Sequence, residues 1–209
     1  MTIPPDVPMA VTPLSSWPTR FRAIERTGIA LALAAGLALT SEGLWIPVKA
    51  RLAQILLEIS WRSELAGHPM KPWPWADTHP VARLTIEHDG AAIIVLAGAS
   101  GRTMAFGPGH LDGTALPGEP GNCVVTAHRD THFAALRYLG PGDTITVQRT
   151  DGRSDRYVVK IMRVVSKQDM SVIRQDGRSR LTLITCYPFD AIRPGTPLRY
   201  VVVAEKVAA

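Results

Sequence analysis

Cysteine is scarce in this 209-residue chain, which holds only Cys123 and Cys186. One disulfide is conceivable, but two cysteines make no disulfide scaffold, and a chain of this length does not need one. The thiol count therefore leaves the compartment open. Internal repeats are lacking, which sets repeat architectures aside. Lys and Arg number 23 against 18 Asp and Glu, a formal charge of +5 that suits an anionic membrane surface or nucleic acid. Those basic residues are scattered, however, and no motif interleaves aromatic with basic side chains, so nucleic acid is not an expected partner. No acidic cluster suggests a calcium site. The segment around the histidines lacks a metalloprotease glutamate and a Cys-x-x-Cys pair, so no metal or cofactor is expected.

What is present divides along the chain. Residues 1–19 carry Pro4, Pro5, Pro8, Pro13 and Pro18 without apolar periodicity and read as a disordered tail. Arg20, Arg22 and Arg26 then precede an apolar stretch from Thr27 to Val48. Its uninterrupted part is short for a bilayer span and fits a signal-peptide core. The whole stretch is long enough to cross, with Glu42 as its only charge and Trp45 as an interfacial anchor. An uncleaved signal anchor over residues 20–48 is preferred to a cleaved signal, and both to a buried soluble helix. The arginines ahead of it favour a cytoplasmic N-terminus and an exported remainder.

Residues 49–80 form the next region. Lys49 to Ala66 predicts an amphipathic helix with Leu52, Ile55, Leu56 and Ile59 on one face, stopped by Gly67. The Lys71–Asp77 segment, KPWPWAD, predicts an extended connector whose Trp rings pack on the domain. From residue 81 to the end the pattern is strand-like, over 81–87, 91–97, 122–128, 143–149, 155–166, 180–186 and 198–204. Seven or eight short strands with little helix predict a mainly-β closed or half-closed barrel. Residues 107–121 read as a Gly/Pro-rich loop with room for one helical turn.

Three segments carry candidate chemistry. Asn122–His128 is an apolar strand ending on a histidine, and Leu181–Cys186 one ending on a cysteine. Taken singly, such a histidine is by default structural and such a cysteine a small core residue. In Leu198–Val203 an arginine, Arg199, opens an otherwise apolar strand, where Arg is seldom placed without a partner or a task. Antiparallel pairing of the last two strands would bring Cys186 and Arg199 to the same sheet edge, with the face of each left open. Chemically, a nearby imidazolium or guanidinium favours a thiolate. An imidazolium protonates a departing amine, and a fixed guanidinium holds an oxyanion. Arg193, the rival arginine, lies in the loop. Cys123 falls five positions before His128, on the opposite strand face and about 16 Å farther along, which reads as core.

Leu181-Thr-Leu-Ile-Thr-Cys186 resembles the Thr-Leu-x-Thr-Cys signature of sortases, and Arg199-Tyr-Val-Val matches the opening of that family's final strand. Gly107–Glu119, His128-Arg-Asp130 and Thr185-Cys-Tyr-Pro-Phe189 are similar to class D sortases. The Lys49-Ala-Arg-Leu-Ala-Gln helix and the Pro/Trp connector look like the Gram-negative, proteobacterial branch. The resemblance runs from about Arg26 to Glu205. It implies a sortase-type closed barrel of about eight strands over 81–209, with Cys186 as nucleophile, His128 as its partner and Arg199 as oxyanion stabiliser. It further implies cleavage of a Leu-Pro-x-Thr-Gly-like C-terminal sorting signal on exported proteins. The acyl group would pass through a thioester to an unidentified amine or to water. Ala127 stands where the family usually has Gly, and with Thr185 it is expected to touch substrate. Leu116–Pro120 superficially resembles a sorting signal but lies mid-chain, so the chain reads as enzyme rather than substrate. The expected location is the inner membrane, crossed once, with the catalytic domain in the periplasm. Competing readings are a metal site drawn from His128, His132, His110, Cys123 and Asp130, another class of thiol enzyme, and a non-catalytic membrane-anchored β-domain.

Overall fold

The computed structural model describes residues 19–87, 90 and 92–207; the tail expected over 1–19 lies outside them except for Thr19. The chain divides into two units, Met1–Val48 and Lys49–Ala209. Helix α1 runs over Thr19–Leu65. Among the described residues no helix is long and apolar enough to cross a membrane. Most side chains of residues 20–47, where the anchor is expected, lie outside that description.

The end of α1 follows from Gly67, whose φ of 76° is the left-handed conformation that glycine adopts without strain. His68 N–H donates to Ser63 O at 2.9 Å and Gly67 N–H to Glu64 O at 2.9 Å. These paired bonds satisfy carbonyls that the helix leaves open. The expected apolar face requires correction. Leu52, Ile55 and Ile59 are 53, 58 and 49% exposed, whereas Ala53, Leu57, Ser60 and Trp61 are buried. The packed stripe is offset by one residue, about 100° of helix rotation. The reason is the size of Trp61. With Leu57 it docks against Ile94 and Leu96, and Trp73 and Phe106 complete this cluster. Small Ala53 and Ser60 let the helix approach, and Glu58 bridges to Arg83. Of the two connector tryptophans, Trp73 packs on Phe106 with centroids 4.9 Å apart, while Trp75 stays exposed.

The strands are β1 (Pro80–Ile86), β2 (Ala92–Ala97), β3 (Gly109–His110), β4 (Asn122–Thr126), β5 (Thr144–Arg149), β6 (Ser154–Ser166), β7 (Arg180–Tyr187) and β8 (Leu198–Lys206). They close into a barrel in the order β1-β2-β3-β4-β7-β8-β6-β5. Closure leaves no unpaired edge for another chain to extend. The β2–β3 and β4–β7 pairs are parallel and the rest antiparallel.

Alternation fills the interior. Leu84 and Ile86, Val125, Ile145 and Val147, Leu181 and Leu183, and Val202 point inward, and Phe133, Leu136 and Leu139 join the same core from the segment around a 3-10 turn at Ala134–Tyr138. Each such side chain contributes about 1.5–3 kcal/mol on burial. Strand β2 reads as an unbroken apolar run because both its faces are covered, Val95 by the barrel core and Ile94 and Leu96 by α1. The helical turn expected within 107–121 sits earlier, as α2 at Gly101–Met104, capped by the Ser100 hydroxyl.

Candidate active site

Strand register assembles the site. Cys186 and Arg199 are direct partners across the antiparallel β7–β8 ladder. On the other side of β7, β4 runs parallel with Thr126 opposite Ile184. Ala127 N–H continues this ladder by donating to Ile184 O at 3.2 Å. His128 follows two residues beyond Thr126, just after the end of β4. Cys186 and Arg199 thus stand abreast on β7 and β8, and the β4 segment leads to His128 at the same end of β7.

Alternation settles the face. Cys123, Val125 and Ala127 of the β4 segment, Leu181 and Leu183 of β7, and Val202 and Ala204 of β8 belong to the barrel core. Cys186 and Arg199 have the opposite parity, so both face outward. His128 is exposed, while Cys186 and Arg199 are half-buried. Arg199 Nη1 donates to Thr196 O at 2.7 Å and to Leu198 O at 2.8 Å, which leaves Nε and Nη2 unengaged among the described residues. Among the described residues no side chain hydrogen-bonds the His128 ring. His132 lies near enough to feel its charge. Burial, and then the His128 charge, lower the His132 pKa below the usual histidine value. The loop from His128 closes through Phe133 N–H on His128 O at 3.0 Å, with the Phe133 ring fully buried.

Ala127 and Thr185, the two residues expected to touch substrate, lie beneath the outer face. Ala127 is buried in the barrel core, and Thr185 is buried with its hydroxyl donating to Ala127 O at 2.8 Å. Both side chains have inward parity, opposite to Cys186, so their position is one of tying β4 to β7 beneath the site. The family's more usual glycine would lack only an inward-facing methyl. Arg193 is exposed on the β7–β8 loop. Cys123 pairs with Leu181 deep in the barrel wall, and both thiols are free. Among the other residues of the metal reading, His110 is buried, with Nε2 donating to Ala115 O at 2.9 Å.

Supporting residues escaped the sequence reading. Tyr187, Phe189 and Tyr200 form an aromatic cluster just beyond Cys186, with Phe189 and Tyr200 centroids 5.2 Å apart. The Arg137 guanidinium lies 4.9 Å from the Phe189 ring centre. Arg129, next to His128, is buried and holds the β7–β8 loop by three hydrogen bonds. Its signal was available in the loop itself. Pro188, Pro194 and Pro197 supply carbonyl acceptors but no N–H donors, so the loop needs donors from elsewhere.

Residues 84–207 match the sortase domain family. Sortase D of Bacillus subtilis (strain 168) is 31% identical over 125 residues, 59% of this chain and 62% of that protein. The chain thus spans less than two thirds of that relative's length. Sortase A from Corynebacterium diphtheriae is 28% identical with a TM-score of 0.58, over 65% of this chain and 64% of that one. Sortase C-1 from Actinomyces oris is 33% identical with a TM-score of 0.56, over 62% and 76% of the two chains. A Clostridium perfringens Sortase D5 transpeptidase, 22% identical, shares the fold with a TM-score of 0.61 over 76% and 99% of the two chains. With more than half of the chain matched by one domain family and the same barrel underneath, the chain belongs to the sortase family.

Proposed function

We propose that this protein cleaves a Leu-Pro-x-Thr-Gly-like sorting signal and transfers the resulting acyl group to an amine, through a thioester on Cys186. What supports this reading is the pairing of Cys186 with Arg199 across β7–β8, with His128 just past the end of the adjoining β4. The Cys186 thiolate attacks the carbonyl carbon of the scissile bond, forming a C–S bond and an oxyanion. Arg199, through its unengaged N–H groups, donates to that oxygen. Collapse breaks the C–N bond, and the His128 imidazolium delivers its proton to the departing amine. A second amine, or water, then attacks the thioester, loses a proton to the now neutral His128, and expels the thiolate.

The motifs shared with class D sortases favour placement near that class and in its Gram-negative branch. Residues 20–48 would anchor the chain once in the inner membrane, with the barrel in the periplasm and exported proteins bearing C-terminal sorting signals as partners. The test is a fluorogenic Leu-Pro-x-Thr-Gly peptide with an amine acceptor. Native protein should release fluorophore and form the ligated product. Cys186→Ala should lose about 10³-fold or more of the activity, since the nucleophile has no substitute. Equal activity in the mutant would overturn the assignment. If a panel of related sorting peptides stays untouched, the non-catalytic β-domain reading takes its place.

A further inference from the structure

The β7–β8 loop separates Cys186 from Arg199 in sequence, yet its middle has few attachments of its own. Its near end is held by Ala191 N–H on Pro188 O at 3.4 Å, and its far end by Lys167 N–H on Pro197 O at 2.8 Å. Between them, among the described residues, Arg129 makes the only hydrogen bonds that reach residues 191–196 from outside the hairpin. Arg129 Nη2 donates to Ala191 O at 2.6 Å and to Arg193 O at 3.0 Å, and Nη1 donates to Thr196 Oγ1 at 3.2 Å.

Two features mark this as more than packing. Arg129 is only 8% exposed, and its hydrogen-bond partners are all neutral. Burying a cation without a carboxylate is costly, so stability alone is a poor reason for an arginine here. Second, Thr196 receives both guanidinium groups. Its hydroxyl accepts from Arg129, and its carbonyl accepts from Arg199 Nη1 at 2.7 Å. The rigid fork of Arg129 therefore fixes the residue on which Arg199 rests.

We propose that Arg129 is a positioning residue: by gripping the loop at Ala191, Arg193 and Thr196, it sets where the Arg199 guanidinium lies beside Cys186. It touches no reacting atom and acts through Arg199. Because Arg129 directly follows His128, the same grip couples the histidine loop to the arginine loop across the thiol.

This inference rests on the proposed roles of Cys186 and Arg199, so its test uses no sorting peptide. Alkylation of Cys186 is followed in the full-length protein with iodoacetate, an anion, and iodoacetamide, its neutral counterpart. The ratio of the two rates reports a cation held beside the sulfur and cancels the thiolate fraction. Arg199→Ala sets the ratio without that cation. Arg129→Lys keeps the charge but loses the fork, and should lower the ratio by about threefold or more toward the Arg199→Ala value. Thr196→Ala should lower it in the same direction. Adding Arg129→Lys to Arg199→Ala should change nothing further, since both act on one contact.

A well-folded Arg129→Lys protein with the wild-type ratio would overturn the proposal. So would effects of the two arginine substitutions that simply add, or an Arg199→Ala ratio equal to wild type. Failure of peptide cleavage in the native protein is a separate result: it counts against the acyl-transfer reading, while the alkylation ratios still decide the role of Arg129.

Discussion

Cys123 and Cys186 sit on neighbouring strands yet face opposite sides of the barrel wall, and their chemistry diverges accordingly. Burial, with the Glu119 charge adding to it, pushes the Cys123 thiol up to about 12. Cys186 stands half-buried on the outer face. At pH 8–9, iodoacetamide should therefore modify Cys186 alone, with Cys123 reacting only after denaturation; peptide mass mapping reads the difference. His132 gives a second prediction. Its folded pKa is lowered, by burial and then by His128. Between the usual value of about 6.5 and the lower folded one, the unfolded chain binds more protons. This residue thus destabilises the fold as pH falls through that window and contributes nothing above it. His132→Gln should flatten the decline of Tm on acidification below about 6.5, with little change at pH 8. An unchanged decline would contradict the shift.

Individual elements were legible where the sequence repeats every second residue. All seven strands expected from Val81 onward are present within a residue or two, through alternation in β1 and β5 and, in β2, β4 and β8, through short apolar runs bounded by turn residues. Strand β3 was not legible. Gly109 has no side chain to carry a pattern, and it is there because the backbone passes close by. A Cβ at Gly109 would stand 2.4 Å from Gly98 O. Gly109→Ala should therefore force β2 and β3 apart and cost about 1–3 kcal/mol, read from the denaturation midpoint. The face of α1 was misread for another reason. Two apolar stripes lie side by side on this helix, and only the tertiary partner chooses between them. Trp61→Ala should cost about 3–5 kcal/mol, whereas Ile55→Ala should stay within about 0.5 kcal/mol. Equal losses would restore the face that periodicity favoured.

At the scale of the whole molecule, the barrel brings distant sequence together at one end of β7. Cys186 and Arg199 were legible as neighbours because their strands are consecutive and joined by one loop. His128 was not legible from spacing, since β4 reaches β7 through a parallel pairing that no short turn announces. Its place in the set comes from family resemblance. Arg129 stayed hidden because its partners lie more than sixty residues away along the chain. The topology expected of the full chain has its own check. In cells expressing the protein, protease added to spheroplasts should digest the barrel while leaving a cytosolic marker intact; protection of the barrel would contradict the periplasmic placement. The central claim is a covalent one, and intact mass spectrometry tests it most directly. Native protein incubated with Leu-Pro-x-Thr-Gly peptides and little acceptor should gain the mass of the acyl fragment. That mass should map to Cys186, disappear on addition of an amine such as triglycine or hydroxylamine, and never form on Cys186→Ala. Cleavage that persists in Cys186→Ala, or an acyl mass on any other residue, would contradict the account.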